Sequence, residues 1–118
     1  MTQISTHKKH VSELEEYIAK VFEYDYKLKV FKLRAMETIH EHSRNPLETP
    51  KELAALYQLF LEAESSSGLR KIVRLSEKLS LAEKYPWLKP IIDETKKLAR
   101  ELEELEEKEL DLKMKGFL

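Results

Sequence analysis

The sequence predicts an all-α protein, an elongated bundle of about four helices with a long first helix and a charged, heptad-patterned C-terminal helix. Three observations point there. Only two Gly and four Pro occur in 118 residues, and all of them fall where helices would be punctuated. Apolar residues recur at intervals of three and four, the spacing of a helix face. No stretch alternates apolar and polar residues for long enough to make a sheet.

The first helix is expected over about 6–43. Val11, Leu14, Ile18, Val21, Leu28, Ala35 and Ile39 mark its inward stripe. At ~1.5 Å per residue it is ~57 Å long, beyond the width of a compact domain of this size. The segment "NPLETP" breaks it. There Thr49, Pro50 and Glu52 read as a capping box, with proline in the first helical slot.

Helix 2 follows over about 50–65, with Leu53, Leu56, Leu59, Phe60 and Ala63 inward, and stops at "SSSG". Helix 3, about 69–84, uses Leu69, Ile72, Val73, Leu75, Leu79 and Ala82. "YPWLKP" ends it, because two prolines four residues apart forbid a continuous helix. Helix 4, about 90–115, holds the seam Ile91, Thr95, Leu98, Leu102, Leu105, Glu109 and Leu112. A seam this narrow suits one neighbour, and its last turns are expected to reach past the bundle or to pair with the first helix.

The length allows one domain, 1–118. Apolar residues at 42% and charged residues at 36% exclude a disordered chain. No apolar run approaches the ~18 residues of a membrane span, and the start lacks the apolar segment of a signal peptide, so a cytoplasmic protein is expected. The absence of Cys removes disulfides, thiolate metal sites and a cysteine nucleophile. Abundant Lys and Glu beside few amides form a composition expected at high temperature. The net charge of -1 argues against bulk adhesion to nucleic acid. Local basic excess is greatest over 67–90, with six Lys or Arg against two Glu.

Catalytic and metal constellations are sparse. His7 and His10 stand three apart, and Glu37 with His40 forms one Glu-x-x-His step. Helical di-iron bundles need two such steps and two further Glu, so no metal site and no cofactor are expected. "SSSGLRK" lacks the glycines and the Lys-Ser/Thr ending of a phosphate loop. Arg34 and His40 stand as Arg-x5-His, which is similar to the active-site motif of helical HEPN-type ribonucleases; here Ala35 follows the arginine, and the helix is the first instead of a late one. That resemblance implies RNA cleavage that depends on His40.

Helix 1 has more apolar surface than one core needs. Tyr17, Tyr24 and Phe31 recur at intervals of seven, while Phe22, Tyr26, Val30, Leu33 and Met36 lie on another side. A helix apolar on several faces is buried on several faces, so a second copy or a partner is expected to supply the cover. Tyr17, Tyr24 and Phe31 are the candidate self-association residues.

The same helix offers a second reading. Tyr17, Lys20, Tyr24, Lys27, Phe31 and Arg34 form one face on which cations and rings alternate, the chemistry that holds phosphates and stacks bases. Arg70, Lys71, Arg74 and Lys78 add a basic face on helix 3. Against this stands the plainer arrangement in which the rings are core, the lysines snorkel and the helix 3 cations pair with acidic residues of helix 4.

The tail "LDLKMKGFL" also has two readings. As a cap, Gly116 takes the left-handed position and Phe117 folds back on Leu112. As a docking peptide, Met114, Phe117 and Leu118 fall at the fourth, seventh and eighth positions of a pattern that resembles the terminal peptide by which replication and repair proteins dock on sliding clamps. Asp111 stands where that pattern has glutamine. Together these features predict a non-enzymatic adaptor or complex subunit that self-associates as a homodimer. The alternative is a nucleic-acid-binding helical protein. Neither reading calls for a membrane or a small-molecule substrate.

Overall fold

A computed structural model of the chain describes residues 2–43 and 50–118, and in the first stretch side chains from Ser12 onward. Expectations resting on the side chains of His7, His10 and Val11, and on the "NPLETP" turn with its Thr49 cap, lie outside the described residues.

The architecture is all-α. Helix α1 spans Thr2–His42, α2 Lys51–Glu62, α3 Ser66–Lys78, α4 Leu81–Lys84 and α5 Lys89–Met114; a 3-10 turn, Pro86–Leu88, links the last two. The molecule measures 69 × 23 × 19 Å, with a radius of gyration of 18.6 Å. A compact chain of this length would have ~13.5 Å. The excess length is α1, which no Gly or Pro interrupts.

Helix α2 packs on the C-terminal half of α1, α3 folds back on α2, and α5 packs on both α3 and α1. The core holds Ala35 and Ile39 of α1, Leu53, Leu56 and Phe60 of α2, Leu69 and Ile72 of α3, and Leu88, Leu98 and Ala99 around α5. Phe31 meets Phe60 edge-on at 5.9 Å. Toward the chain ends α1 and α5 run antiparallel, with Lys27 opposite Glu101 and Lys115 opposite Glu13.

Of the boundaries that differ from expectation, three bear on the packing. Pro50 is the N-cap of α2, not its first helical residue, and its carbonyl accepts from Leu53 and Ala54. Helix α3 starts three residues early, because Ser65 Oγ accepts from the Gly68 amide and closes the first turn. A Cβ on Gly68 would lie 3.2 Å from Ala63 Cα, so a small residue is needed where α2 hands over to α3.

The third difference corrects the single helix expected over 69–84. It breaks at Ser80, which adopts φ 51 and ψ 44. At ~100° per residue an unbroken helix would carry Leu81 to the solvent side, between the exposed Arg74 and Glu77. The left-handed residue turns the chain instead, so Leu81 is fully buried and Leu79 is left outside.

Candidate interaction surfaces

The inner face of α1 is built from the row Tyr17, Tyr24 and Phe31. Tyr24 is buried, and its hydroxyl donates to the Leu98 carbonyl of α5 at 2.9 Å. Burial, then the charges of Glu101, Glu106 and Asp25, push this phenol well above its ordinary value. Tyr17 is half-buried and also raised, by burial and then by Glu109. Of the three rings expected at a self-association surface, Tyr24 is buried within the fold and Tyr17 and Phe31 are half-buried.

The cations between them are tied as well. Lys27 bonds both Glu101 oxygens, at 3.1 and 3.2 Å, and Lys20 pairs with Glu16 at 3.2 Å. Lys32 donates to the Ala63 carbonyl at 2.7 Å and to Leu61 at 3.3 Å, neutralising the negative end of α2. The face expected to alternate free cations and stacking rings is therefore mostly the seam between α1 and its neighbours. Of its six residues only Arg34 is exposed without an ion pair among the described residues.

The other side of α1 is different. Phe22 is 71% exposed, Tyr26 73%, Leu33 66% and Ile18 43%. At ~100° per residue all four fall within about 80° of arc, turned away from the Tyr24 row. Ile18 belongs to this outer stripe, which corrects its place on the inward one. A groove of about 430 Å³ runs beside it, bounded by Tyr26, Val30, Phe31 and Arg34. The four side chains leave roughly 400–500 Å² of apolar surface uncovered, the size of the largest patch on a typical monomer, which is often functional.

On α3, Arg70 turns toward α5 and bonds Glu103 at 2.8 Å. That bond raises the guanidinium further and holds Glu103 below the usual carboxylate range. Lys71, Arg74 and Lys78 share an exposed face and make no ion pair among the described residues. Glu106 meanwhile accepts from the hydroxyl of Ser66 and holds the start of α3 against α5. The C-terminal seam is wider than expected, since Ile92 and Ala99 add a second buried stripe facing α3.

The tail is capped. Gly116 has φ +81, its amide donates to Lys113 at 3.0 Å, and the Phe117 amide donates to Leu112 at 2.9 Å. This is the Schellman pattern, and it leaves Phe117 half-buried, Met114 80% exposed and Leu118 53% exposed. Asp111 is still helical and pairs with Lys115 at 3.2 Å.

Arg34 and His40 both lie exposed on α1, about 120° apart around its axis at ~100° per residue. Arg34 borders the groove beside Tyr26, and His40 does not. Among the described residues no group of three or more His, Asp or Glu is arranged to hold a metal ion, and no helix is long and apolar enough to cross a membrane. Compared with family models, curated proteins and solved structures, the chain matches none of them.

Proposed function

We propose that the protein is a non-enzymatic helical interaction subunit that associates through the outer face of α1, self-association included. The observation that supports this is the stripe Ile18, Phe22, Tyr26 and Leu33. It stands exposed on a chain that already buries a complete core elsewhere. Aromatic residues outside a core are the side chains most enriched at interfaces, because they bury much area at low entropic cost.

The test is Phe22→Glu with Tyr26→Glu. Both positions are exposed and helical, and glutamate is the better helix former, so the fold should change in stability by no more than about 0.5 kcal/mol. By size-exclusion chromatography the wild type should migrate as an associating species and the variant as a monomer. Equal elution of the two at every loading would count against the reading. The tail is a second docking element on the same reading, through Met114 and Leu118. Met114→Ala with Leu118→Ala tests it better than deleting 111–118, which would remove the fully buried Leu112.

The unpaired cations Lys71, Arg74 and Lys78 favour a second reading, a phosphate-binding face on α3 that serves nucleic acid. Arg34 stands apart on α1, while Lys27 and Arg70 are held by glutamates of α5 and Lys20 pairs along the surface of α1 with Glu16. Anisotropy of a fluorescent oligonucleotide at low and high salt decides it. A complex that weakens steeply with salt and is lost in Lys71→Glu/Arg74→Glu supports nucleic-acid binding, and no complex at low salt removes it.

A further inference from the structure

We infer that the outer face of α3 is a contact surface for the phosphate backbone of a nucleic-acid duplex, bound without regard to base sequence. The inference rests on the second reading above and narrows it to the form of nucleic acid and the part of it that is touched.

Helix α3 carries four cations and one carboxylate. Arg70 and Glu77 lie on the flank toward α5, and both are neutralised there, by Glu103 at 2.8 Å and by Lys96 at 3.4 Å. The other three cations have no ion pair among the described residues. At ~100° per residue Lys71, Arg74 and Lys78 fall within about 60° of arc, opposite the buried Leu69, Ile72, Val73 and Ser76. The remaining flank, Gly68, Leu75 and Leu79, carries no charge. A row of uncompensated cations on the solvent side of a helix is complementary to a polyanion.

The patch is confined to α3. On the neighbouring α5 the exposed Lys89, Lys97 and Arg100 are interspersed with Asp93, Glu104 and Glu107, a mixed surface without excess of either sign.

The shape of the row selects the polyanion. From Lys71 to Lys78 it rises ~10.5 Å, and one strand of a duplex places a phosphate every ~3.4 Å of its axis, so the row spans about three phosphates. No aromatic residue belongs to α3. Proteins hold single strands by stacking bases on rings, so the strand that fits here is one whose bases are already paired. The grooves beside Tyr24, Tyr26 and Ser80 are lined by other residues, which leaves the row on a convex helix back that reaches phosphates and not base edges. Such contacts carry no sequence information. An anionic membrane is a poorer match, because a helix that binds one inserts apolar side chains beside its cations, and those of α3 are buried in the core.

The test is anisotropy of a labelled duplex of mixed sequence, and of its two separated strands, titrated with the full chain from about 50 to about 200 mM salt. Three phosphate contacts predict a slope of about -2.7 in log affinity against log salt, a weakening of roughly 40-fold over that range. Lys71→Gln, Arg74→Gln and Lys78→Gln should each make the slope shallower by about 0.9, while Lys97→Gln on α5 should leave it unchanged. All four sites are exposed, and circular dichroism checks that each variant folds. Tighter binding of the separated strands than of the duplex would overturn the duplex assignment and leave the nucleic-acid reading intact. No binding of either at low salt, or a slope that the three α3 variants do not move, would overturn both. Pelleting with phosphatidylserine vesicles in place of duplex binding would also overturn both and give the face to a lipid surface.

Discussion

The hydroxyl of Tyr24 on α1 donates to the backbone carbonyl of Leu98 on α5, 74 residues away in sequence, at 2.9 Å. This bond fixes the rotation of α1 about its own axis. It turns the Tyr17–Tyr24–Phe31 row inward and thereby leaves Phe22 and Tyr26 outside.

Tyr24→Phe removes one buried hydrogen bond whose acceptor sits within a helix, and should cost about 1 kcal/mol in denaturant unfolding. It also changes the alkaline limb. The folded state holds this phenol protonated above its ordinary value of 10.0. Its contribution is therefore complete below that pH and is lost as pH rises beyond it. Stability curves of wild type and variant measured above pH 10.0 should converge.

Gly116 carries the positive φ on which the tail's cap depends, with no atom within 4 Å of a Cβ placed there. Gly116→Ala should destabilise by about 1 kcal/mol through backbone conformation alone. Thermal unfolding measures it, and an unchanged midpoint would show that the cap contributes nothing.

At the α3–α4 break, Ser80 holds a left-handed conformation that glycine adopts without steric cost. Ser80→Gly should be neutral or stabilise by up to about 1 kcal/mol. Leu81→Ala, which empties the position this turn delivers to the core, should cost about 2–5 kcal/mol. Chemical denaturation of the two variants should thus move in opposite directions or differ widely.

The Arg70–Glu103 bond adds acid sensitivity. Its carboxylate is held below the ordinary value of 4.5. The contribution is present above that pH and is lost as pH falls through the lowered folded value. Glu103→Gln should flatten the fall in melting temperature below about pH 4.5, modestly because the pair is partly solvated.

Most of the fold was legible because helix punctuation in this chain is sharp. Pro50, the serines before Gly68 and the prolines of "YPWLKP" each stand within a few residues of an observed boundary. What stayed hidden was the phase of α1. Its apolar residues surround the helix, so periodicity alone cannot choose between the Tyr24 row and the Phe22–Tyr26 row as the inner one. The choice is made by long-range contacts, namely Lys27 with Glu101 and Tyr24 with Leu98, that no local window contains. The break at Ser80 was missed for a related reason: serine gives no sign of a left-handed residue, and only the need to bury Leu81 demands one.

The most direct test of the account is sedimentation equilibrium of the unmodified protein from about 1 μM to about 1 mM, the range over which a small helix-on-helix interface should assemble. The account predicts an average mass that rises reversibly from 14.0 kDa toward a two-chain limit without going beyond it. A mass that stays at 14.0 kDa across the whole range would contradict it.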